Sequence, residues 1–192
     1  CHGVSEGAAL AAVGADGILK VEKQRSKRAT CAIAINAGGI DANSVGHPRG
    51  HLSIVGIGPG ADGWRTPEAT ALLAAATDVV GYGLYLDLVS DLIAGKERHV
   101  SELAQEEARV RRALELAAEG RNVALVCSGD AGIYALATLA FELMDREDRA
   151  DWNRTEVQVT PGVSALQAAA ARIGAPIGHD FCTISLSDLL TP

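Results

Sequence analysis

Leu52-Ser53-Ile54-Val55-Gly56-Ile57-Gly58-Pro59-Gly60 opens as a short apolar run and closes on glycines. An apolar run of this length bounded by turn residues predicts a buried strand over residues 52–57. Working outward, Thr66-Pro67 marks a helix start, with Thr66 as N-cap and Pro67 at the first helical position, where its missing N–H costs little. The pattern then alternates. Helices are expected over 67–76, 84–93, 102–118, 133–145 and 163–173, and strands over 78–82, 122–127, 155–160 and 181–186. On the long helix 102–118, Leu103, Val110, Leu114 and Ala117 mark the apolar face, Glu106, Arg109 and Arg112 lie outside it, and Gly120 closes it. Apolar strands separated by helices predict an α/β fold, a parallel-rich sheet with helices on both faces.

The composition changes near residue 50. Residues 37–50 hold Ala37-Gly38-Gly39 and Ser44-Val45-Gly46-His47-Pro48-Arg49-Gly50 and read as a linker. Residues 1–36 read as an Ala-rich helix over 5–12, a loop and a strand over 30–35. That is too little to bury a core of its own, so it is expected to be the end of another α/β domain. The chain starts with Cys1 rather than Met, so the original start is expected to be missing.

The 192 residues are 48% hydrophobic and 21% charged, a globular balance that excludes a disordered or fibrous chain. No apolar run reaches the roughly 18 residues that span a bilayer. Residues 1–50 carry six bases and four acids, residues 51–192 eleven bases and twenty acids. An acidic main body disfavours nucleic acid as a partner. Cys1, Cys31, Cys127 and Cys182 are far apart, without Cys-x-x-Cys or His pairs at ligand spacing, so no metal site is expected. Cys31, Cys127 and Cys182 read as small buried residues in a reducing, cytoplasmic setting.

Ligands of open parallel sheets bind beyond the carboxyl ends of the strands, and three such ends here are glycine-rich. Gly56 to Gly60 lets the backbone approach a ligand, or is a plain strand–helix turn. With Ala61 it also meets the pattern G-x-G-x-x-G/A of dinucleotide sites. That alternative, a dinucleotide-dependent oxidoreductase, needs an acid after the second strand, where Gly81-Tyr82-Gly83 stands. In Ser128-Gly129-Asp130-Ala131-Gly132 the aspartate either accepts from a ligand or caps the next helix. In Thr160-Pro161-Gly162-Val163-Ser164-Ala165 the serine is an N-cap candidate, and the small side chains leave room for a flat ring or a thioether.

Taken in this order, the three loops, with Ile133-Tyr134 and Gly174-Ala175-Pro176-Ile177, resemble the tetrapyrrole methyltransferase family over about residues 51–192. Val80-Gly81-Tyr82-Gly83-Leu84-Tyr85-Leu86 and Ile184-Ser185-Leu186-Ser187-Asp188-Leu189-Leu190-Thr191-Pro192 are similar to its precorrin-3B C-17-methyltransferase branch. Gly3 to Leu10 and Ala29 to Ala34 resemble the end of the lactone-opening domain of cobalamin synthesis. The resemblance implies S-adenosylmethionine as cofactor, a precorrin macrocycle as substrate, methylation of C-17 with ring contraction, and a homodimer. It implies that Pro59, Ser128, Gly129, Asp130, Ile133, Ser164 and Ala165 hold the cofactor. It also implies a second subdomain after Pro192, without which the piece would serve binding alone and leave apolar residues after Val163 and near Phe181 uncovered. No catalytic base is assigned. Asp62, Tyr85 and His99 qualify by residue type only.

Overall fold

The computed structural model describes residues 48–184, together with the backbone of three strands near the start. The chain divides into two units, Cys1–Arg49 and Gly50–Pro192.

In the first unit, β1 (Ala9–Val13), β2 (Ile18–Lys23) and β3 (Cys31–Ala34) form an antiparallel sheet in that order. Residues 9–12 therefore form a strand, not the expected helix. Alanine is the best helix former, but propensity is a weak bias, and pairing of Ala9 with Lys23 through Val13 with Leu19 overrides it. Asp16-Gly17 between the two runs is the hairpin signal that the alanines concealed. The strand expected over 30–35 appears as β3. Residues 5–8 and most of the expected linker lie outside the described residues.

The second unit is a five-stranded parallel sheet of β4 (His51–Gly56), β5 (Asp78–Tyr82), β6 (Glu97–Ser101), β7 (Asn122–Cys127) and β8 (Glu156–Thr160). Its spatial order is β6-β5-β7-β4-β8. The helices are α1 (Pro67–Ala75), α2 (Gly83–Asp87), α3 (Glu106–Ala118), α4 (Leu136–Glu147), α5 (Ala150–Asn153) and α6 (Ala165–Ile173). Successive strand residues point to opposite faces, so the sheet feeds two cores. Leu52, Ile54 and Leu125 pack with Val110, Leu114, Leu143 and Trp152 on one face. Val55, Ile57, Ala124 and Val126 pack with Leu73, Leu86 and Val89 on the other. Both faces are covered, as the apolar strands require.

The departures from expectation have local causes. β6 reads Glu-Arg-His-Val-Ser, an edge strand with no apolar run to announce it. It displaces the start of α3 to Glu106 and leaves Leu103 57% exposed, outside the helix. Arg109 is buried rather than on the outer face, because it lies four and seven residues before Ala113 and Leu116 on the inward stripe. Helix α2 stops at Asp87, well before residue 93. Tyr134, at φ +50°, delays α4 to Leu136. Residues 181–184 form no strand, and Cys182 is exposed, not buried. Gly120 follows the α3 cap residue Glu119 at φ +95°, and the N–H groups of Gly120 and Arg121 donate to Ala117 and Leu116, closing the helix end. Among the described residues no helix is long and apolar enough to cross a membrane.

Candidate functional site

Strand β4 lies between β7 and β8, which explains why loops far apart in sequence meet. The chain leaves β4, runs through β5 and β6, and returns on each side of it. The loops after β4, β7 and β8 therefore emerge side by side at the carboxyl edge of the sheet.

Their meeting is close. Past the strand ends the Ile57 N–H donates to the Cys127 carbonyl at 3.0 Å. Gly58 and Gly129 then exchange both backbone hydrogen bonds, at 3.1 and 2.8 Å, as an antiparallel bridge. The two glycines stand at φ +76° and +66°, a region that side chains disfavour. A Cβ added to Gly56 would come within 2.7 Å of the Gly129 carbonyl oxygen, and one at Gly162 within 2.9 Å of the Gly56 carbonyl oxygen. Three backbones thus touch at Gly56, Gly129 and Gly162.

Asp130 fastens the junction. Its Oδ1 accepts from the Gly132 N–H at 2.8 Å, and its Oδ2 accepts from the Gly162 N–H at 3.0 Å. Asp130 does not cap α4, whose N-cap is Ala135. One carboxylate joins the β7 loop to the β8 loop, and each oxygen keeps lone pairs for a further donor. Ser164 caps α6: its Oγ accepts from the Gln167 N–H, and the Gln167 Oε1 accepts from the Ser164 N–H.

Beside the junction a cleft of about 670 Å³ opens. Ser128, Gly129, Asp130, Ile133, Ser164 and Ala165 all line it, so six of the seven residues expected at the site meet there. Pro59 is exposed on the β4 loop and is not among the lining residues. Of the candidates by type, Tyr85 lines the cleft, packed edge-to-face on Tyr82 with centroids 5.3 Å apart. Asp62 pairs with Arg65 at 3.1 Å. His99 is bonded to Asp78 at 2.9 Å, and Asp78 opens β5 at the amino edge, away from the glycine loops. Arg109, Tyr134, Leu136 and Thr183 also line the cleft, though none of them was expected to hold the cofactor. For Arg109 the signal was present, since its spacing to Ala113 and Leu116 placed it on the buried stripe.

Cys127 forms the end of β7 and also borders the cleft. Burial pushes its thiol up to about 11, so it is neutral at physiological pH and no ready nucleophile. The dinucleotide alternative loses ground. After the glycines, Asp62–Trp64 forms only a 3₁₀ turn and α1 waits until Pro67, so no helix N-terminus opens on the loop.

Comparison with known proteins agrees with this geometry. Residues 51–192 match the family model of the tetrapyrrole (corrin/porphyrin) methylases. A precorrin-3B C(17)-methyltransferase of Sinorhizobium sp is 46% identical over 143 residues, covering 74% of this chain and 56% of that protein. The cobalamin biosynthesis protein CobIJ of Mycobacterium bovis is 47% identical over 143 residues, covering 74% of this chain and 27% of that one. The crystal structure of the methyltransferase CobJ superposes with a TM-score of 0.68 at 45% identity, over 74% of this chain and 59% of that chain. A uroporphyrin-III C-methyltransferase from Thermus thermophilus, solved with S-adenosylhomocysteine, gives a TM-score of 0.52 at 26% identity, over 68% of this chain and 54% of that chain. The chain spans little more than half the length of these relatives, or less. A five-stranded parallel sheet with this loop junction, matched along residues 51–192, places the chain among the tetrapyrrole methylases.

Proposed function

We propose that the full-length protein transfers a methyl group from S-adenosylmethionine to C-17 of precorrin-3B, or of its cobalt-containing form, in cobalamin biosynthesis. The observation that carries this is the cleft at the joined loops, in a chain 46% identical to a precorrin-3B C(17)-methyltransferase.

The residues present fit such a cofactor. About 670 Å³ is within the range of small-molecule sites. Gly129, Ser164 and Ala165 leave space for a flat ring, while Ile133, Leu136 and Leu166 supply apolar walls. When bound, S-adenosylmethionine supplies a methyl group already activated on a sulfonium sulfur. The task left to the chain is alignment and exclusion of water. Asp130, fixed at both oxygens by the loop backbone, accepts from ligand hydroxyl or ammonium groups with its remaining lone pairs. The Ser128 hydroxyl can donate or accept beside it. Pro59 stiffens the β4 loop that pairs with Gly129. The family resemblance supports a homodimer in the cytoplasm, and the Gly3 to Leu10 motif supports a first unit derived from a lactone-opening domain.

The test is incubation of the full-length gene product with precorrin-3B and methyl-labelled S-adenosylmethionine. One label at C-17 of a ring-contracted product is expected. Label at another carbon, or none, contradicts the proposal.

A further inference from the structure

Arg109 is a buried cation without an acid. It is 4% exposed, yet among the described residues no carboxylate lies within ion-pair distance of it. Its partners are two neutral oxygens at the carboxyl end of β6. Nε donates to the Ser101 Oγ at 2.5 Å, and Nη2 donates to the Glu102 carbonyl at 2.8 Å. These two bonds fix the plane of the guanidinium and leave Nη1 without a partner among the described residues. Nη1 is not an enclosed orphan either, since the enclosed unpaired atoms are Trp152 Nε1 and Thr160 Oγ1. Arg109 lines the cleft together with Ser128, Asp130 and Tyr85. Glu106 and Glu142 border the same cleft but form no ion pair with it.

A guanidinium cannot shed its charge in a protein, so burial without an anion is costly unless an anion arrives. Several other arginines of the unit meet acids: Arg98 with Asp87, Arg111 with Glu147, Arg121 with Asp78, Arg149 with Asp151. Arg109 is held in a fixed plane in the lining of the cleft with Nη1 unpartnered among the described residues, a donor that suits a carboxylate.

We infer that Arg109 is a binding residue for a carboxylate group of the bound ligand, positioned by Ser101 and the Glu102 carbonyl. This rests on the function proposed above. That function offers two sources of one chemistry: the amino-acid carboxylate of the cofactor, and the acidic side chains of the macrocycle.

The experiment uses the full-length protein, its Arg109→Gln and Arg109→Lys variants, and three probes. S-adenosylhomocysteine carries the amino-acid carboxylate, 5′-methylthioadenosine is the same thioether nucleoside without it, and precorrin-3B carries the ring carboxylates. If the partner is the cofactor, Arg109→Gln weakens S-adenosylhomocysteine at least tenfold and leaves methylthioadenosine within twofold. If it is the macrocycle, the KM for precorrin-3B rises at least tenfold while S-adenosylhomocysteine is unaffected. In either case Arg109→Lys recovers part of the loss. Should Arg109→Gln fail to fold, the wild type and Arg109→Lys carry the test. Lysine then weakens one carboxylate probe severalfold and spares methylthioadenosine. All probes binding both variants as they bind wild type overturns the inference alone. A wild type that binds neither S-adenosylhomocysteine nor precorrin-3B overturns the proposed function, and Arg109's role with it.

Discussion

At Gly162 an added methyl would overlap the carbonyl oxygen of Gly129 and approach that of Gly56 within 2.9 Å. Both obstacles are backbone, which cannot swing aside as a side chain can. Gly162→Ala should therefore cost about 3 kcal/mol, read as a lowered urea midpoint with an unchanged slope. A loss below about 0.5 kcal/mol would mean that the loops can part freely. Cys127 and Cys182 make a second residue-scale contrast. Cys127 is buried with its thiol raised to about 11, whereas Cys182 is exposed. Brief treatment with iodoacetamide at neutral pH should label Cys182 and spare Cys127, as read by peptide mass spectrometry. Equal labelling would show that the end of β7 opens readily.

At the scale of elements, Asp78 ties β5 to its neighbours. Its carboxylate accepts from Thr77 at 2.8 Å, His99 at 2.9 Å and Arg121 at 2.9 Å, joining the starts of β5 and β7 to β6. Burial pushes its pKa up, but the hydrogen bonds from His99, Thr77 and Arg121 outweigh burial and hold it below its ordinary 3.8. A carboxyl group depressed on folding adds stability above its unfolded pKa and loses it as pH falls through the folded one. The contribution is thus complete at neutral pH and begins to fall away only below about 3.8. Asp78→Asn should cost about 2 kcal/mol at pH 7 and progressively less as the pH falls below 3.8, measured by denaturation at each pH. A cost independent of pH would contradict the charge-based account. The same elements show what the sequence could reveal. β4, β5 and β7 were visible because their cores are apolar runs, and the edge strand β8 because Val157 and Val159 alternate with polar residues. β6 was hidden because an edge strand needs no such run, and α3 was therefore drawn too long. In the first unit alanine propensity masked a hairpin. The glycine loops were legible because their composition is extreme. The sharing of Asp130 between two loops was not, because Gly162 stands 32 residues away and only the strand order brings it near.

At the scale of the whole molecule, apolar surface is left open toward the end of the second unit. Helix α6 has no buried residue, and Ile173, Phe181 and Ile184 are 76%, 61% and 78% exposed. Patches of that kind favour association. The 192-residue chain should bind an apolar fluorescent dye and self-associate on gel filtration, and Phe181→Ser with Ile184→Ser should reduce both. A dye-silent monomer would show that the surface is covered. The central claim concerns the cleft at the three-loop junction, and calorimetric titration of the full-length protein tests it most directly. S-adenosylhomocysteine should bind with micromolar affinity, and Asp130→Ala should weaken it at least tenfold. Silence toward S-adenosylhomocysteine with clear binding of NAD would contradict the account and make the Gly56 to Ala61 loop a dinucleotide site.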